Sequence, residues 1–212
     1  MLYNAFGMSA ISQIKPQRNN KRVNIYLDGK FGFGIDLENF VKLGLKVNQE
    51  LTDEEVKKIV KKAEFQKTLD KLLRFATLRP RSEKEIGDYL KRKKVHESIH
   101  KELFNKLTRL SLVNDMEFTR WWIEQRNAFK PKGKKALMNE LRGKGIDKET
   151  ARMVLAEFDI NEKKIAGALV LRNAFKWEKY DFKTAGRKKA EFLARQGFSW
   201  EVIKEILSVD DD

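Results

Sequence analysis

The 212-residue chain carries 45 Lys and Arg against 31 Asp and Glu, a formal net charge of +14, and it contains no cysteine. That balance points to a polyanionic partner, either nucleic acid or a protein already coated on it, and the lack of cysteine excludes disulfides, thiolate nucleophiles and Cys-based zinc sites. No apolar run approaches the roughly twenty residues of a membrane span, and the N-terminus MLYNAFGMSAISQIK has no basic segment ahead of an apolar core, so a cytoplasmic protein of one or two domains with no membrane contact is expected.

The first predicted elements are strands. Val23, Ile25, Phe31, Phe33 and Ile35 alternate with Arg22, Asn24, Tyr26, Gly32 and Gly34 around Asp28-Gly29, a hairpin signal. A two-residue Asp-Gly turn would pair Ile25 with Gly32 and split the apolar residues between faces. A three-residue loop of Leu27, Asp28 and Gly29 pairs Ile25 with Phe31 and Val23 with Phe33, so that register is expected. An earlier strand over residues 11–15, ending at Pro16, completes a small sheet. The glycines at Gly29, Gly32 and Gly34 lack the GK[ST] ending of a phosphate-binding loop, and close packing against the sheet accounts for them.

Asp36 is placed to cap a short helix that Gly44 ends, and Thr52 with Glu55 forms a capping box for a longer one. In that helix Val56, Ile59, Val60 and Ala63 form the apolar set, while Lys57, Lys58, Lys61 and Lys62 form a solvated face. The helix continues through residues 63–78 until Pro80 breaks it.

Beyond Pro80 a pattern recurs about every fifty residues: Ser82-EKEIGDYLKRKK-Val95, Gly133-KKALMNELRGKG-Ile146 and Ala185-GRKKAEFLARQG-Phe198. In each copy Leu90, Leu141 or Leu193 sits five positions before Val95, Ile146 or Phe198. Steps of four then lead to Ile99 and Leu103, to Thr150 and Val154, and to Val202 and Ile206, keeping these residues on one helical face. Each copy is therefore a pair of amphipathic helices joined by a tight turn. Gly145 and Gly197 supply the left-handed turn residue, where the first copy has Lys94. Units this small bury their apolar stripes by stacking, which suits a long partner.

Basic residues recur at the helix starts and turns. They are Arg79, Arg81, Arg92, Lys93 and Lys94 in the first copy, Lys132, Lys134, Lys135, Arg142 and Lys144 in the second, and Arg187, Lys188, Lys189 and Arg195 in the third. With regular stacking they line one track suited to a filament groove or a nucleic-acid backbone. Phe118 and Trp122, one turn apart, are expected in the core. Trp121 points elsewhere; core packing is the preferred reading for it, and beside Arg120 and Arg126 stacking on a base or anchoring in a protein pocket is the alternative. His96 and His100 share the i, i+4 spacing of a metal clamp but lack the carboxylate pattern of a zinc helix, so solvated positions and no metal are expected.

In order, the segments Leu78-Arg79-Pro80-Arg81-Ser82-EKE-Ile86-GDY-Leu90, Leu112-Val113-Asn114-Asp115-MEF-Thr119 with Trp122 and Arg126, Gly133-KKA-Leu137-MNE-Leu141-RGKG-Ile146, and Phe192-Leu193-ARQ-Gly197-Phe198-Ser199 resemble the successive signatures of the RecX family of recombinase regulators. The resemblance covers roughly residues 63–209, and the hairpin-bearing N-terminus is similar to that of longer family members. It implies a non-enzymatic bacterial regulator of tandem three-helix repeats that lodges in the groove of the RecA filament on single-stranded DNA and restrains its ATPase and strand exchange. Some members also touch DNA directly. Departures from the family pattern are Lys94 in place of a common Gly, Pro131-Lys132 ahead of Gly133, and a third repeat that stops after two helices.

The expected fold is mainly α, with tandem three-helix repeats in an extended curved array preceded by a small N-terminal β-hairpin or sheet unit. The division is residues 1–50 for that unit, 51–77 for a linking helix, and 78–130, 131–183 and 184–212 for the repeats, the last with an acidic tail. Ser82 and Asn114 or Asp115 are also read as helix caps. Asp53-Glu54-Glu55 complements a helix dipole and Asp210-Asp211-Asp212 is a terminal run; neither comes with a convergent His, so no catalysis and no cofactor are expected. Two functions follow. One is a monomeric regulator of the RecA filament; the other is a free-standing nucleic-acid-binding module for single-stranded DNA or RNA.

Overall fold

The computed structural model describes residues 7–18 and 20–208; the acidic run Asp210-Asp211-Asp212 lies outside them. The chain opens with β1 (Met8–Pro16), β2 (Arg22–Leu27), β3 (Lys30–Asp36), α1 (Leu37–Leu43), β4 (Glu50–Thr52) and α2 (Asp53–Thr77). The strands form an antiparallel sheet in the order β3-β2-β1-β4. Helices follow: α3 (Glu83–Arg92), α4 (His100–Arg109), α5 (Asp115–Phe129), α6 (Lys134–Gly143), α7 (Lys148–Ala156), α8 (Glu162–Arg172), α9 (Phe182–Arg195) and α10 (Trp200–Ser208). Among the described residues, no helix is long and apolar enough to cross a membrane. The chain divides into two compact units. One runs up to Leu78 and includes Leu90–Arg109; the other combines Arg79–Tyr89 with the chain from Leu110 onward.

The hairpin corrects the expected register. Its turn has two residues, Asp28 and Gly29, with φ of 48° and 78°, and it pairs Leu27 with Lys30 and Tyr26 with Phe31. The ladder then shifts, so that Ile25 faces Phe33 and Val23 faces Ile35. Gly32 is the extra residue, a β-bulge that reverses which side chains point inward. The bulge, not a longer loop, gathers Val23, Ile25, Phe33 and Ile35 in the core and leaves Phe31 exposed. A Cβ at Gly32 would stand 2.9 Å from Leu27 Cγ, and one at Gly34 equally close to Gln17 Nε2, so both glycines serve close packing.

Local capping rules hold in this unit. The Asp36 carboxylate accepts from the Asn39 amide at 2.8 Å, and Gly44 ends α1 at φ 59°. Thr52 and Glu55 complete a reciprocal capping box. Ile59 and Ala63 of α2 join Ile11, Ile25 and Ile35 in one core. Val60, expected beside them, is partly exposed, while Lys57, Lys58, Lys61 and Lys62 face solvent.

In the second unit the cores group α5 with α6 and α7, and α8 with α9 and α10. Each group thus begins one helix earlier than the divisions at residues 131 and 184, and the two helices of the third copy find their third partner in α8. The reason is packing: Phe118 and Ile123 of α5 bury against Leu137, Leu141 and Val154. The expected steps of four hold in the first copy and shift in part in the other two. Ile99, Leu103 and Val154 are buried as expected, although Glu97–Ile99 form a 3-10 turn before α4; in α7 Ala151 is buried in place of the half-buried Thr150, and in α10 Ile203 is buried while Val202 and Ile206 are half-buried. Ile146 precedes the cap residue Asp147, so it packs from the turn and the helical phase starts afresh after it.

A repeated joint links consecutive copies. The Ser82 hydroxyl donates to the Lys144 carbonyl at 2.8 Å, and at the matching place the Gly133 amide donates to the Gln196 carbonyl at 3.0 Å. The Glu83 amide donates to Asp115 at 2.8 Å, and the Lys134 amide to Glu162 at 2.9 Å. Asp115 therefore ties helices together, while Asn114 alone caps α5. At these joints Gly145 and Gly197 are left-handed, at φ 86° and 83°. Lys94 takes the same conformation at φ 52° with an exposed side chain, a strain that Gly would not carry.

Candidate functional site

The site grows from the Pro80 break and the start of α5. Ser82 accepts from the Glu85 amide at 3.2 Å, half of a capping box. The Glu85 side chain does not turn back to complete it. It instead takes a two-pronged contact from Arg79 at 2.9 and 3.0 Å and the Lys144 ammonium at 2.9 Å, with Arg81 at 3.8 Å.

Glu140 on α6 does the same for its neighbours. It accepts from Arg126 Nε and Lys132 Nζ at 2.7 Å and from the Trp122 indole at 2.9 Å. Arg126 and Lys144 lie over the Trp122 ring at 4.6 and 4.8 Å, and Arg79 lies over Trp121 at 4.9 Å. Both indoles flank the buried Phe118 ring, with centroids 5.9 and 5.7 Å away. Five cations thus share two carboxylates and two indoles, an arrangement that stays positive and holds each side chain in place.

Burial opposes the charge on Glu85 and Glu140. Hydrogen bonds from Arg79 and Lys144 to the first, and from Lys132, Arg126 and Trp122 to the second, outweigh it and hold both carboxyls below their ordinary range. A depressed carboxylate contributes stability above its unfolded pKa and loses it as pH falls through the folded one. Glu140→Gln is expected to cost about 1–3 kcal/mol at neutral pH and to flatten the acid limb of stability; urea midpoints from pH 7 to pH 3 measure it, and an unchanged limb would count against the network. Asp115 has the opposite sign, since burial raises it, so its ionised form is disfavoured by folding at neutral pH.

Of the residues singled out from sequence, the fold gathers Arg79, Arg81, Trp121, Arg126, Lys132 and Lys144 into this cluster. Trp121 is half-buried and packed on the core of α5–α7. Lys134 and Lys135 are exposed at the start of α6, and Arg142 is exposed near its end. On α9, Arg187 and Arg195 are exposed, Lys188 lies 4.7 Å over Tyr180, and Lys189 is half-buried. Arg92 and Lys93 are exposed near the end of α3, in the other compact unit. Glu85 and Glu140, which organise the cluster, carry no local signal of that role. His96 accepts from the Ser98 amide and His100 pairs with the Val95 carbonyl, so each imidazole has a protein partner.

Comparison with known proteins matches residues 9–52 to the regulatory protein RecX N-terminal domain and residues 114–155 to the second three-helix domain of RecX. The second match spans α5, α6 and α7, the group that shares one core. The chain is 32% identical over 206 residues to the regulatory protein RecX of Bacillus licheniformis, covering 96% of this chain and 78% of that one. It is also 32% identical over 198 residues to that of Bacillus subtilis, covering 92% and 75%. Among solved structures, a crystal structure of regulatory protein RecX superposes with a TM-score of 0.69 at 24% identity, covering 96% of this chain and all of that one. RecX from Lactobacillus salivarius gives 0.60 at 24% identity, over 70% of this chain and 97% of that one.

Proposed function

Since the chain belongs to the RecX family of regulatory proteins, we propose that it regulates the RecA recombinase, docking in the groove of the RecA filament on single-stranded DNA and restraining ATPase and strand exchange. It acts in the cytoplasm as a monomer and performs no catalysis of its own. The observation that carries this reading is the repeated joint, with Ser82 on Lys144 and Gly133 on Gln196. All four joint residues lie within one compact unit, and a contact that recurs there copy by copy suits a partner that is itself a regular repeat. Lys135 and Arg187 stand at matching positions of α6 and α9, and both are exposed. They are the cations assigned to such a contact.

The test is the single-stranded-DNA-dependent ATPase of the matching RecA, titrated with this protein at moderate salt beside its binding to the naked strand. Restraint is expected well below the concentration that coats free DNA. Restraint only in step with coating, or none, would instead support a free-standing nucleic-acid-binding module.

A further inference from the structure

In the three-helix group α8–α10 a core position of the other copies carries a charge. Lys189 stands where the other copies have Ile86 and Leu137, both fully buried. Where those aliphatic side chains fill a core, α9 and α10 leave a groove lined by Phe182, Lys183, Lys189, Trp200, Lys204 and Leu207. A second groove, lined by Leu171, Trp177 and Tyr180, shares Phe182, Ala185 and Lys189 with the first, so the two are continuous. Large aromatic faces stand in water along this surface: Phe182 is 72% exposed and Trp200 57%. Ammonium groups stand among them, with Lys204 5.8 Å from the Trp200 centroid and Lys188 4.7 Å from that of Tyr180.

We propose that this surface is a binding site for single-stranded DNA, with bases stacked on Trp200 and Phe182 and phosphates held by Lys183, Lys189 and Lys204. Exposed rings are costly in water, and an unpaired base has a flat face that covers them without demanding a particular sequence. Ammonium groups between the rings match the phosphate that follows each base. Glu201 and Glu205 also line the first groove and Glu178 the second; Glu205 is held by Lys163 at 2.5 Å, which offsets its charge. A duplex keeps its base faces stacked and offers no ligand for these rings. The choice of DNA over RNA rests on the filament reading above, whereas the stacking itself does not.

The experiment uses the full chain, no recombinase, and fluorescence anisotropy of labelled oligothymidylate. Trp200→Ala and Phe182→Ala should each weaken binding about tenfold, Trp200→Phe should retain most of it, and Lys183→Gln with Lys204→Gln should flatten the salt dependence. Circular dichroism and thermal melts establish that each variant is folded. Unchanged affinity in folded Trp200→Ala and Phe182→Ala, or an abasic strand bound as tightly as oligothymidylate, would overturn the site. Oligouridylate should bind no more tightly than oligothymidylate; a preference for it would overturn the assignment to DNA. Because the recombinase is absent, failure here leaves the filament reading standing. Loss of ATPase restraint with strand binding intact counts against that reading alone.

Discussion

Gly197→Ala is expected to destabilise the second unit by about 3–5 kcal/mol, combining a left-handed backbone that Ala tolerates poorly with overpacking of a closed contact. The Cβ it adds would drive into the Cβ, amide nitrogen and Cα of Ala136, and the obstacle is backbone that cannot swing away. Gly133→Ala attacks the same joint from the other side, where the new methyl would meet the Gly197 carbonyl. The matched control is Lys94→Gly. There the side chain is exposed and the backbone already left-handed, so removing the Cβ should be neutral or mildly stabilising. Urea unfolding followed by tryptophan fluorescence checks all three, and near-native stability of Gly197→Ala would mean that the joint does not hold the copies together.

Charge reversal on the exposed cations should separate docking from folding. Lys135→Glu with Arg187→Glu is expected to raise the concentration needed to restrain the RecA ATPase by on the order of a hundredfold, about tenfold per reversed charge. Stability should move little, because both side chains are exposed and the pairing of Arg187 with Glu191, at 4.0 Å on the surface, contributes little to folding. The readout is the ATPase titration beside a thermal melt. Full restraint by the folded double variant would remove these positions from the docking surface.

Several parts of the molecule were legible in the residues alone. Asp36, Gly44, the Thr52–Glu55 box and the left-handed Gly145 and Gly197 all behave as local rules require, since each satisfies backbone groups within a few positions of itself. The mainly helical repeat architecture was legible for a related reason: an amphipathic stripe repeats in the chain before it packs in space. The candidate cluster was visible only by half. Its cations stand out by type and recurrence, but their partners do not: Lys144 reaches Glu85 across 59 positions, and Trp122 reaches Glu140 across 18.

By itself the sequence determined the hairpin strands and most of the helices, where several of them end, and that basic residues recur copy by copy, because these properties depend on neighbours along the chain. Only the tertiary structure decided the bulge at Gly32, the grouping of α5 with α6 and α7, and the sharing of five cations between two carboxylates. Each of those is a choice among arrangements that local chemistry leaves nearly equal. Packing a continuous core and satisfying buried charge selects one, and both costs appear only when distant segments meet.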